Sequence, residues 1–406
     1  MMEKSSVSGC VMILLLGIML IPSTGLALTI GDAIDLVADR LEAEQRTSGS
    51  GSGSWLEEEV YNGAIVAGMA TAFRRTCVQS YKTSAELGGD YTMKTAGGNY
   101  YGDEAFALAL LSQINDNPYD NEWRDALATF YTAVKNSTNG TSGYIAYFET
   151  NAEPSTAIFY VGHLVLGAYY VDATDKEIWR DSLVEFLATV DDSTTYFPVM
   201  ALSIATWALA ETGPLDDTLV DPYGTGQPYW ELKTLADLPD LLVSHQVVEI
   251  PDGIFNAWAG SFYWDFGHTD CGFTEDASFA VLGLTAAQKA DPSLNYSEEL
   301  FTTKQVLFNS IDPADGAVYE DIWVRDYSYY FYAGELLTAM GELIIGGDVN
   351  GDDVVDEVDL GILTDNWLIS SSGGCLCNGA DIDQNDNVNF ADFAVMATNW
   401  LASDLI

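Results

Sequence analysis

Two kinds of helical segment alternate along most of this chain, and this alternation restricts the folds open to it. One kind is apolar on nearly every side, and a helix of that composition must be buried all round. These apolar segments span residues 60–73, 104–114, 155–171, 197–210, 276–287 and 327–344. The other kind has one apolar and one polar face, as expected of a helix that covers a core. These amphipathic segments span residues 30–44, 122–134, 176–190, 235–248 and 297–310, with a weaker one over 81–95.

Six buried helices that alternate with six half-buried ones predict an (α/α)6 toroid, in which an outer ring of helices surrounds an inner ring. Strand patterns are few, and the sequence contains neither a GxGxxG nor a GK[ST] phosphate-binding loop, which disfavours α/β folds. We therefore predict an all-α fold, with the toroid domain over residues 28–345 and a small helical module after it.

Several apolar segments have a similar beginning, in which glycine and aromatic residues precede carboxylates. Residues 97–111 read GGNYYGDEAFALALL, and residues 271–284 read CGFTEDASFAVLGL. The inner helices of a toroid run in one direction, so their N-termini meet at one rim, where the helix dipole favours carboxylates. The predicted catalytic carboxylates are Asp103, Glu104, Asp265, Glu275, Asp276 and Asp326. The predicted substrate-binding residues are Tyr101, Trp264, His268, Trp323 and Arg325.

Each of these carboxylates, taken alone, is also explained as an ordinary cap or first-turn acid of a helix. Their clustering beside aromatic residues favours a site instead. Glycosidic cleavage needs one carboxylic acid and one carboxylate, and aromatic rings suit the C–H faces of sugars. We expect one catalytic residue from the pair Asp103 and Glu104 and the other from Asp265, Glu275 and Asp276, with Asp326 in reserve.

This arrangement resembles the (α/α)6 glycoside hydrolases and polysaccharide lyases, whose rims hold paired carboxylates and sugar-stacking aromatic residues. It also resembles the terpene-cyclase and prenyltransferase toroids, because EQRTSGSGSGSW at 44–55 is similar to their Gln then Gly-x-Trp repeat. The spacing of that stretch differs, however, and the cyclase Asp-x-Asp-Asp motif is absent from the sequence.

The first resemblance implies a glycoside hydrolase, and two alternatives stay open. A polysaccharide lyase would use His268, Arg325 and the tyrosines of residues 327–330, but a net charge of −46 disfavours polyanionic substrates. A non-catalytic toroid that binds a glycan or a protein is the other alternative, because no full family signature is present.

Two acidic loops follow the predicted toroid. Residues 348–359 read DVNGDDVVDEVD and residues 381–392 read DIDQNDNVNFAD. Calcium takes oxygen ligands from positions 1, 3, 5, 7, 9 and 12 of a twelve-residue loop, with the backbone carbonyl at position 7. The predicted ligands of two Ca²⁺ ions are Asp348, Asn350, Asp352, Val354, Asp356 and Asp359 in the first loop, and Asp381, Asp383, Asn385, Asn387, Asn389 and Asp392 in the second.

The duplicated loops, each followed by a helix (360–368 and 393–401), resemble a dockerin, the module that attaches secreted polysaccharide-degrading enzymes to cohesin-bearing scaffold proteins. The resemblance implies a calcium-dependent module over residues 347–401 and a cohesin-like partner. Position 8 is Val355 and Val388, where paired loops exchange a backbone contact. Position 6 departs from the usual glycine, since it is Asp353 and Asp386. We expect removal of calcium to unfold this module while the toroid stays folded.

The N-terminus predicts export from the cell. Lys4 is followed by a short apolar run and by small residues before a cleavage point after Ala27, as in a secretory signal peptide over residues 1–27. Four cysteines remain beyond it, and their pairing cannot be inferred from sequence: Cys77, Cys271, Cys375 and Cys377. The strongly acidic composition argues against binding to nucleic acid, and no later apolar run predicts a membrane anchor.

Overall fold

The computed structural model of the chain describes residues 28–56, 62–151, 157–188, 198–220, 230–247, 260–262, 272–320, 328–344, 346–370, 379–382 and 387–402. In these ranges the regular structure is helical, apart from isolated β-bridges, so the all-α prediction is confirmed. In chain order the α-helices are α1 (Ile30–Glu44), α2 (Asn62–Thr76), α3 (Gln79–Ala96), α4 (Gly102–Ile114), α5 (Glu122–Ser137), α6 (Thr141–Asn151), α7 (Ala157–Tyr170), α8 (Lys176–Leu187), α9 (Pro198–Thr212), α10 (Leu238–Val243), α11 (Thr274–Ala290), α12 (Ser297–Asn309), α13 (Tyr330–Leu343), α14 (Glu357–Asp365) and α15 (Phe390–Thr398). None of the helices within these ranges is long and apolar enough to cross a membrane.

Six of these helices form a closed inner ring. Helices α2, α4, α7, α9, α11 and α13 pack each against the next, and α13 packs against α2 to close the ring. Six outer helices, α1, α3, α5, α8, α10 and α12, each pack against two neighbouring inner helices. The fold is therefore the predicted (α/α)6 toroid.

Two outer elements differ from their predicted extent. Helix α10 covers only Leu238–Val243, whereas a helix over 235–248 was expected. A 3₁₀ turn precedes it, and Pro239 fits the first turn of the helix because its missing N–H needs no partner there. Helix α6, which packs against α7 and α8, was not predicted, since its segment TSGYIAYFETN shows no clear amphipathic period.

Small residues let the inner helices approach closely where the ring closes. Gly68 of α2 faces Gly334 of α13, and a Cβ added to Gly334 would lie 2.3 Å from the carbonyl oxygen of Ala64. Large aromatic side chains fill the axis of the ring instead, among them Phe106, whose ring contacts Trp207 edge to face at 5.0 Å.

The end of the ring opposite the predicted rim is closed by an ion-pair network. Glu342, near the end of α13, pairs with Lys289 of α11 and lies 3.9 Å from the guanidinium of Arg75 in α2. Although burial alone would raise it, the charges of Lys289 and Arg75 hold the pKa of Glu342 down at about 2. Cations at helix C-termini also oppose the helix dipole favourably.

The C-terminal module has its own hydrophobic cluster, separate from that of the toroid. It is formed by Val349, Val355, Leu363, Ala380, Val388 and Met396. The prediction of a backbone contact between Val355 and Val388 was wrong. Val355 exchanges backbone hydrogen bonds with Leu401 and Ala402, and Val388 does so with Leu368 and Ile369. Each loop thus pairs with the chain that follows the helix of the other repeat. The boundaries proposed for the two domains stay a prediction.

Helices α14 and α15 begin three residues earlier than the predicted 360–368 and 393–401. The reason is a capping box in each loop. The side chain of Asp356 accepts from the N–H of Val358, and that of Asp359 accepts from the N–H of Asp356. Asn389 and Asp392 form the same box in the second loop. Loop positions 9 and 12 therefore start the helix, as an N-cap and an N3 acid do.

Candidate active site and calcium loops

Asp103 and Glu104 begin α4 at the rim where the inner helices start. An oxygen of Asp103 accepts a hydrogen bond from the backbone N–H of Ala64 in α2, at 3.0 Å. An oxygen of Glu104 accepts from the N–H of Tyr101, at 2.9 Å, and closes a capping box. Both acids therefore stabilise the local backbone by accepting hydrogen bonds from it, as first-turn acids are expected to do.

Burial raises the pKa of both carboxyls. The pKa of Asp103 rises to about 6, and the backbone N–H groups of Ala64, Asp103 and Glu104 restrain the rise because they stabilise the anion. The pKa of Glu104 rises to about 7 through burial and the adjacent charge of Asp103. Two acids at one rim thus titrate near neutrality, which is common at functional sites.

Glu275 and Asp276 occupy the first turn of α11, which stands opposite α4 in the ring of six. Asp276 is 2% exposed, and its Oδ1 has no hydrogen-bond partner among the described residues. Burial and the charge of Glu275 hold the pKa of Asp276 well above its ordinary value. Burial also raises the pKa of Glu275, with a further contribution from Glu320. These surroundings therefore favour the neutral, proton-donating form of Asp276 over its anion.

Asp103 and Asp276 hold matching positions, each three residues before a phenylalanine of one shared cavity. Phe106 and Phe279, each three residues further on, line one small cavity on the ring axis. Residues three apart on a helix share one face, so each acid lies about one turn towards the rim from its phenylalanine. The cavity has a volume of about 10 Å³, enough for roughly one water molecule.

Two further titratable side chains line this cavity, and neither was among the predicted site residues. Glu335 is buried in the second turn of α13, and His163 is buried in α7. The Nδ1 of His163 lies 3.0 Å from the carbonyl of Phe159, and burial lowers the pKa of His163 to about 4. A charged residue inside an otherwise apolar inner helix is the signal that could have identified Glu335.

Glu320 is the third residue of the site that was missed. The hydroxyl of Tyr332 donates to Glu320 at 3.2 Å. The pKa of Tyr332 is raised by burial and by the charges of Glu275, Glu320 and Glu335, which places these groups within electrostatic reach of one another. The α11–α13 side of the rim therefore carries more acid than the first-turn pattern indicated.

Tyr101 is the N-cap residue of α4, next to the acids it was expected to accompany. The other predicted residues of the rim lie outside the described residues. They are Asp265 and Asp326 among the catalytic candidates, and Trp264, His268, Trp323 and Arg325 among the substrate-binding candidates. The structure thus brings together Asp103, Glu104, Glu275 and Asp276 at one rim and leaves these six as predictions.

The first acidic loop is ordered by its own carboxylates. Asp348 accepts from the N–H groups of Gly351 and Asp352 through Oδ1 and from that of Asp353 through Oδ2. Asp359 accepts from Val349 at 2.6 Å. Asp348 and Asp359 are buried, and burial with the charges of Asp359 and Asp352 raises the pKa of Asp348 to about 7.

The donor set of this loop fits a hard divalent cation. Acid oxygens of like charge are held together inside a loop where burial penalises their charge, and Ca²⁺ prefers such oxygens. In the described part of the chain, however, no group of three or more His, Cys, Asp and Glu side chains is already arranged around one metal position.

The second loop repeats the hydrogen bonds of the first where it is described. Asp392 accepts from Ile382 at 2.6 Å and from Asn389 at 2.7 Å, and both Asp381 and Asp392 are buried. Asn389 donates to the carbonyl of Asn387. Asp383 and Asn385 lie outside the described residues.

Comparison with known proteins gives structural likeness only. No protein-family profile matches the chain, and no curated protein matches it. Among solved structures, the GH76A alpha-1,6-mannanase from Salegentibacter sp. HEL1_6 is 11% identical with a TM-score of 0.48, over 77% of this chain and 98% of the mannanase. Its inactive variant in complex with alpha-1,6-mannotetrose gives 11% and 0.47, over 78% of this chain and 99% of that one. The unsaturated glucuronyl hydrolase from Bacillus sp. GL1 gives 12% and 0.47, over 77% of this chain and 94% of the hydrolase.

Proposed function

We propose that this chain is an exported glycoside hydrolase that cleaves a neutral polysaccharide or oligosaccharide with carboxylates at the rim of its toroid. The observation that carries the proposal is the contrast between Asp103 and Asp276 on opposite inner helices. Backbone N–H groups restrain the burial-driven rise in the pKa of Asp103 to about 6, whereas burial and the charge of Glu275 raise the pKa of Asp276, which has an unpartnered oxygen, well above its ordinary value. Two carboxyls with separated pKa values are what acid–base cleavage of a glycosidic bond requires.

Each carboxyl has a distinct role in this proposal. Asp276 donates its proton to the glycosidic oxygen while the bond from that oxygen to the sugar carbon breaks. Asp103 either takes a proton from the attacking water or attacks the sugar carbon itself, and the separation of the two carboxyls decides between inversion and retention. Glu104 follows Asp103 in the sequence, and Glu275 precedes Asp276. These two glutamates are the second candidates for the same two roles.

The substrate class follows from charge and from the predicted aromatic residues. A chain with a net charge of −46 repels uronate-rich polymers, so a neutral glycan fits better. Tyr101 stands at the start of α4, and Trp264 and Trp323 are the proposed stacking surfaces for sugar rings. The axial cavity is too small for a sugar, so binding belongs to the rim above it.

The C-terminal module is proposed to bind two Ca²⁺ ions through the twelve ligand positions named above. Bound calcium would neutralise the buried acids of each loop, because the loop's own ligand residues supply negative charge and no compensating positive charge. The loops themselves contribute the backbone N–H groups that orient Asp348, Asp359 and Asp392.

The same module is proposed to attach the enzyme to a cohesin-like scaffold protein. Apolar side chains on its surface support this, namely Val358, Leu368, Ile369, Phe390, Phe393, Trp400 and Leu401. Leu368 and Leu401 are 76% and 70% exposed and both have left-handed backbones, with φ of 61° and 62°. Bulky residues avoid that conformation, so two such leucines presented to solvent suggest a role in recognition.

Export is proposed from the signal-peptide pattern over residues 1–27, which lies outside the described residues. Cys77 is disulfide-bonded. Disulfides are typical of proteins that work outside the reducing cytosol, so this bond supports the proposal.

The test is product analysis after incubation of the mature protein and calcium with a panel of neutral and uronic polysaccharides. We expect new reducing ends from a neutral glycan. Asp103→Asn and Asp276→Asn should each lower kcat by roughly 100-fold or more, as expected for loss of a general base or acid. Glu122→Gln, a first-turn acid of the outer helix α5, is the matched control and should leave kcat unchanged.

Two results would replace this proposal. Products with an unsaturated uronate would make the chain a lyase and direct attention to Arg325, His268 and the tyrosines of 327–330. Glycan binding without turnover would favour a non-catalytic toroid. That reading has support of its own, because Asp103 and Glu104 already satisfy backbone N–H groups of α2 and α4.

A further inference from the structure

The first acidic loop is fastened to the toroid at two points. The N–H of Gly31, at the start of α1, donates to the carbonyl of Gly351 at 3.0 Å, and a Cβ added to Gly31 would lie only 3.0 Å from that oxygen. Lys304 of α12 forms an ion pair with Asp353 at 3.3 Å. The side chains of Lys304 and Asp353 are 3% and 5% exposed, so this ion pair is buried.

Both fastening points act on residues that orient the ligand at loop position 1. The N–H of Gly351 donates to Oδ1 of Asp348 at 2.8 Å, and the N–H of Asp353 donates to Oδ2 at 2.9 Å. A single loop residue therefore links each toroid contact to Asp348: Gly351 for the contact with Gly31, and Asp353 for the contact with Lys304. Moving either Gly351 or Asp353 would move the donors that position this carboxylate.

The ion pair also accounts for the aspartate at loop position 6. Asp353 has φ of 66°, in the left-handed region that favours glycine. An aspartate there costs about 1 kcal/mol or more relative to glycine. Glycine could not form this ion pair, and loss of the opposite charge beside a buried lysine carries a larger penalty.

The contact between Gly31 and Gly351 borders a large cavity. This cavity of about 410 Å³ lies between the toroid and the loop and has a mixed lining, with polar groups such as Asp32, Arg75 and Asp352 and apolar side chains such as those of Ile34, Val349 and Ile362. The hydrophobic clusters of the toroid and of the module are separate. The ion pair and the glycine contact are therefore two specific links between the loop and the toroid.

We propose that the Lys304–Asp353 ion pair couples calcium binding by the first loop to docking of the module on the toroid. Docking holds Asp348 in its binding orientation, and calcium in turn tightens docking by the same factor, because coupling between two equilibria is reciprocal. The inference rests on the calcium binding proposed above. It assigns to a toroid residue, outside the loop, a positioning role in the metal site.

The proposal and simple electrostatics predict opposite signs. A lysine near a calcium loop repels Ca²⁺, so its removal alone should tighten calcium binding. If Lys304 instead orders the loop through Asp353, its removal should weaken binding despite the loss of a positive charge.

The experiment uses the full mature chain, stripped of metal and titrated with Ca²⁺ against a chromophoric chelator, with two binding constants fitted. We expect Lys304→Met to weaken one site roughly tenfold and to leave the other unchanged, within the usual range of coupling energies. Lys176→Met is the matched control, since Lys176 at the start of α8 forms an exposed ion pair with Asp172. It should leave both sites unchanged or slightly tighter.

Asp353→Gly provides the second variant, because it relieves the left-handed strain and retains the loop fold. An independent module would bind calcium as well or better with this glycine, whereas the coupled module should bind more weakly at one site. Small-angle X-ray scattering of the calcium-loaded proteins should show a larger radius of gyration for both variants than for the wild type.

Unchanged or tighter binding in both variants overturns the coupling while leaving the calcium proposal intact. A wild-type chain that binds no calcium overturns both. The two failures are therefore distinguishable within one titration series.

Discussion

At the scale of single residues, the candidate site depends on how differently the protein treats chemically similar acids. Asp103 accepts hydrogen bonds from backbone N–H groups, whereas one oxygen of Asp276 has no hydrogen-bond partner among the described residues. Both are buried, so the surroundings alone separate their proton affinities. A buried carboxyl with an unpartnered oxygen destabilises a fold, and its presence suggests a role that outweighs stability.

Asp276→Asn should therefore stabilise the protein while it lowers kcat. The folded pKa of Asp276 is raised, so its favourable contribution is complete below the unfolded pKa of about 3.9 and is lost as the pH rises towards the folded pKa. The neutral asparagine avoids this loss. Calorimetry should show a Tm increase of a few degrees at about pH 7 and a smaller increase at about pH 5. A lower Tm for the variant at pH 7 would contradict the assignment.

At the scale of helices, the ring was predictable because its pattern is periodic. The apolar composition of the inner segments identified them, and the observed helices match their predicted positions to within a few residues. Helix α6 and the short α10 were not foreseen, since brief segments with weak periods obtain their helicity from packing on α7, α8 and α9. The close contact of α2 with α13 was also not visible in the sequence.

Gly334→Ala should open this α2–α13 contact. The added Cβ would lie 2.3 Å from the Ala64 carbonyl oxygen and 2.6 Å from Cα of Ile65, so backbone would have to move. We expect a destabilisation of about 1–3 kcal/mol, as for other overpacked sites, measured by urea unfolding. Gly361→Ala on α14 is the control, because nothing lies within 4 Å of its added Cβ. It should stabilise α14 slightly, since alanine favours helix. Equal stability of Gly334→Ala and the wild type would rule out the tight contact.

At the scale of the whole molecule, the chain has two hydrophobic clusters of very different size, joined by polar contacts. The small cluster of the module lies beside loops that hold several buried acids. Such loops depend on neutralisation of their charge, whereas the toroid has a large apolar core of its own.

Chelation of calcium with EGTA should consequently unfold residues 347–401 and leave the toroid folded. Limited proteolysis should remove the module in EGTA but not in calcium, and circular dichroism should lose only the helical signal of α14 and α15. Magnesium added in place of calcium is the control and should protect less, because its smaller ion prefers strict octahedral geometry. A proteolytic pattern that does not change with chelation would exclude a calcium-dependent module.

The sequence by itself determined the features that depend on local period and spacing. These are the alternating inner and outer helices, the acids at the start of α4 and α11, and the two repeated loops with their left-handed Asp353. Each is encoded within a few consecutive residues, so a pattern along the chain reveals it. Calcium binding, export and the partner were inferred in the same way and stay predictions.

Only the tertiary structure decided which acids have partners and which positions meet. Glu335 and His163 join Asp103 at the axis from helices far apart in sequence, and Lys304 meets Asp353 across 49 positions. Burial, hydrogen bonding and ion pairing depend on neighbours in space, which local composition does not specify. For that reason the sequence could propose six acids for the rim, while the fold distinguished Asp103 from Asp276 and connected the calcium loop to the toroid.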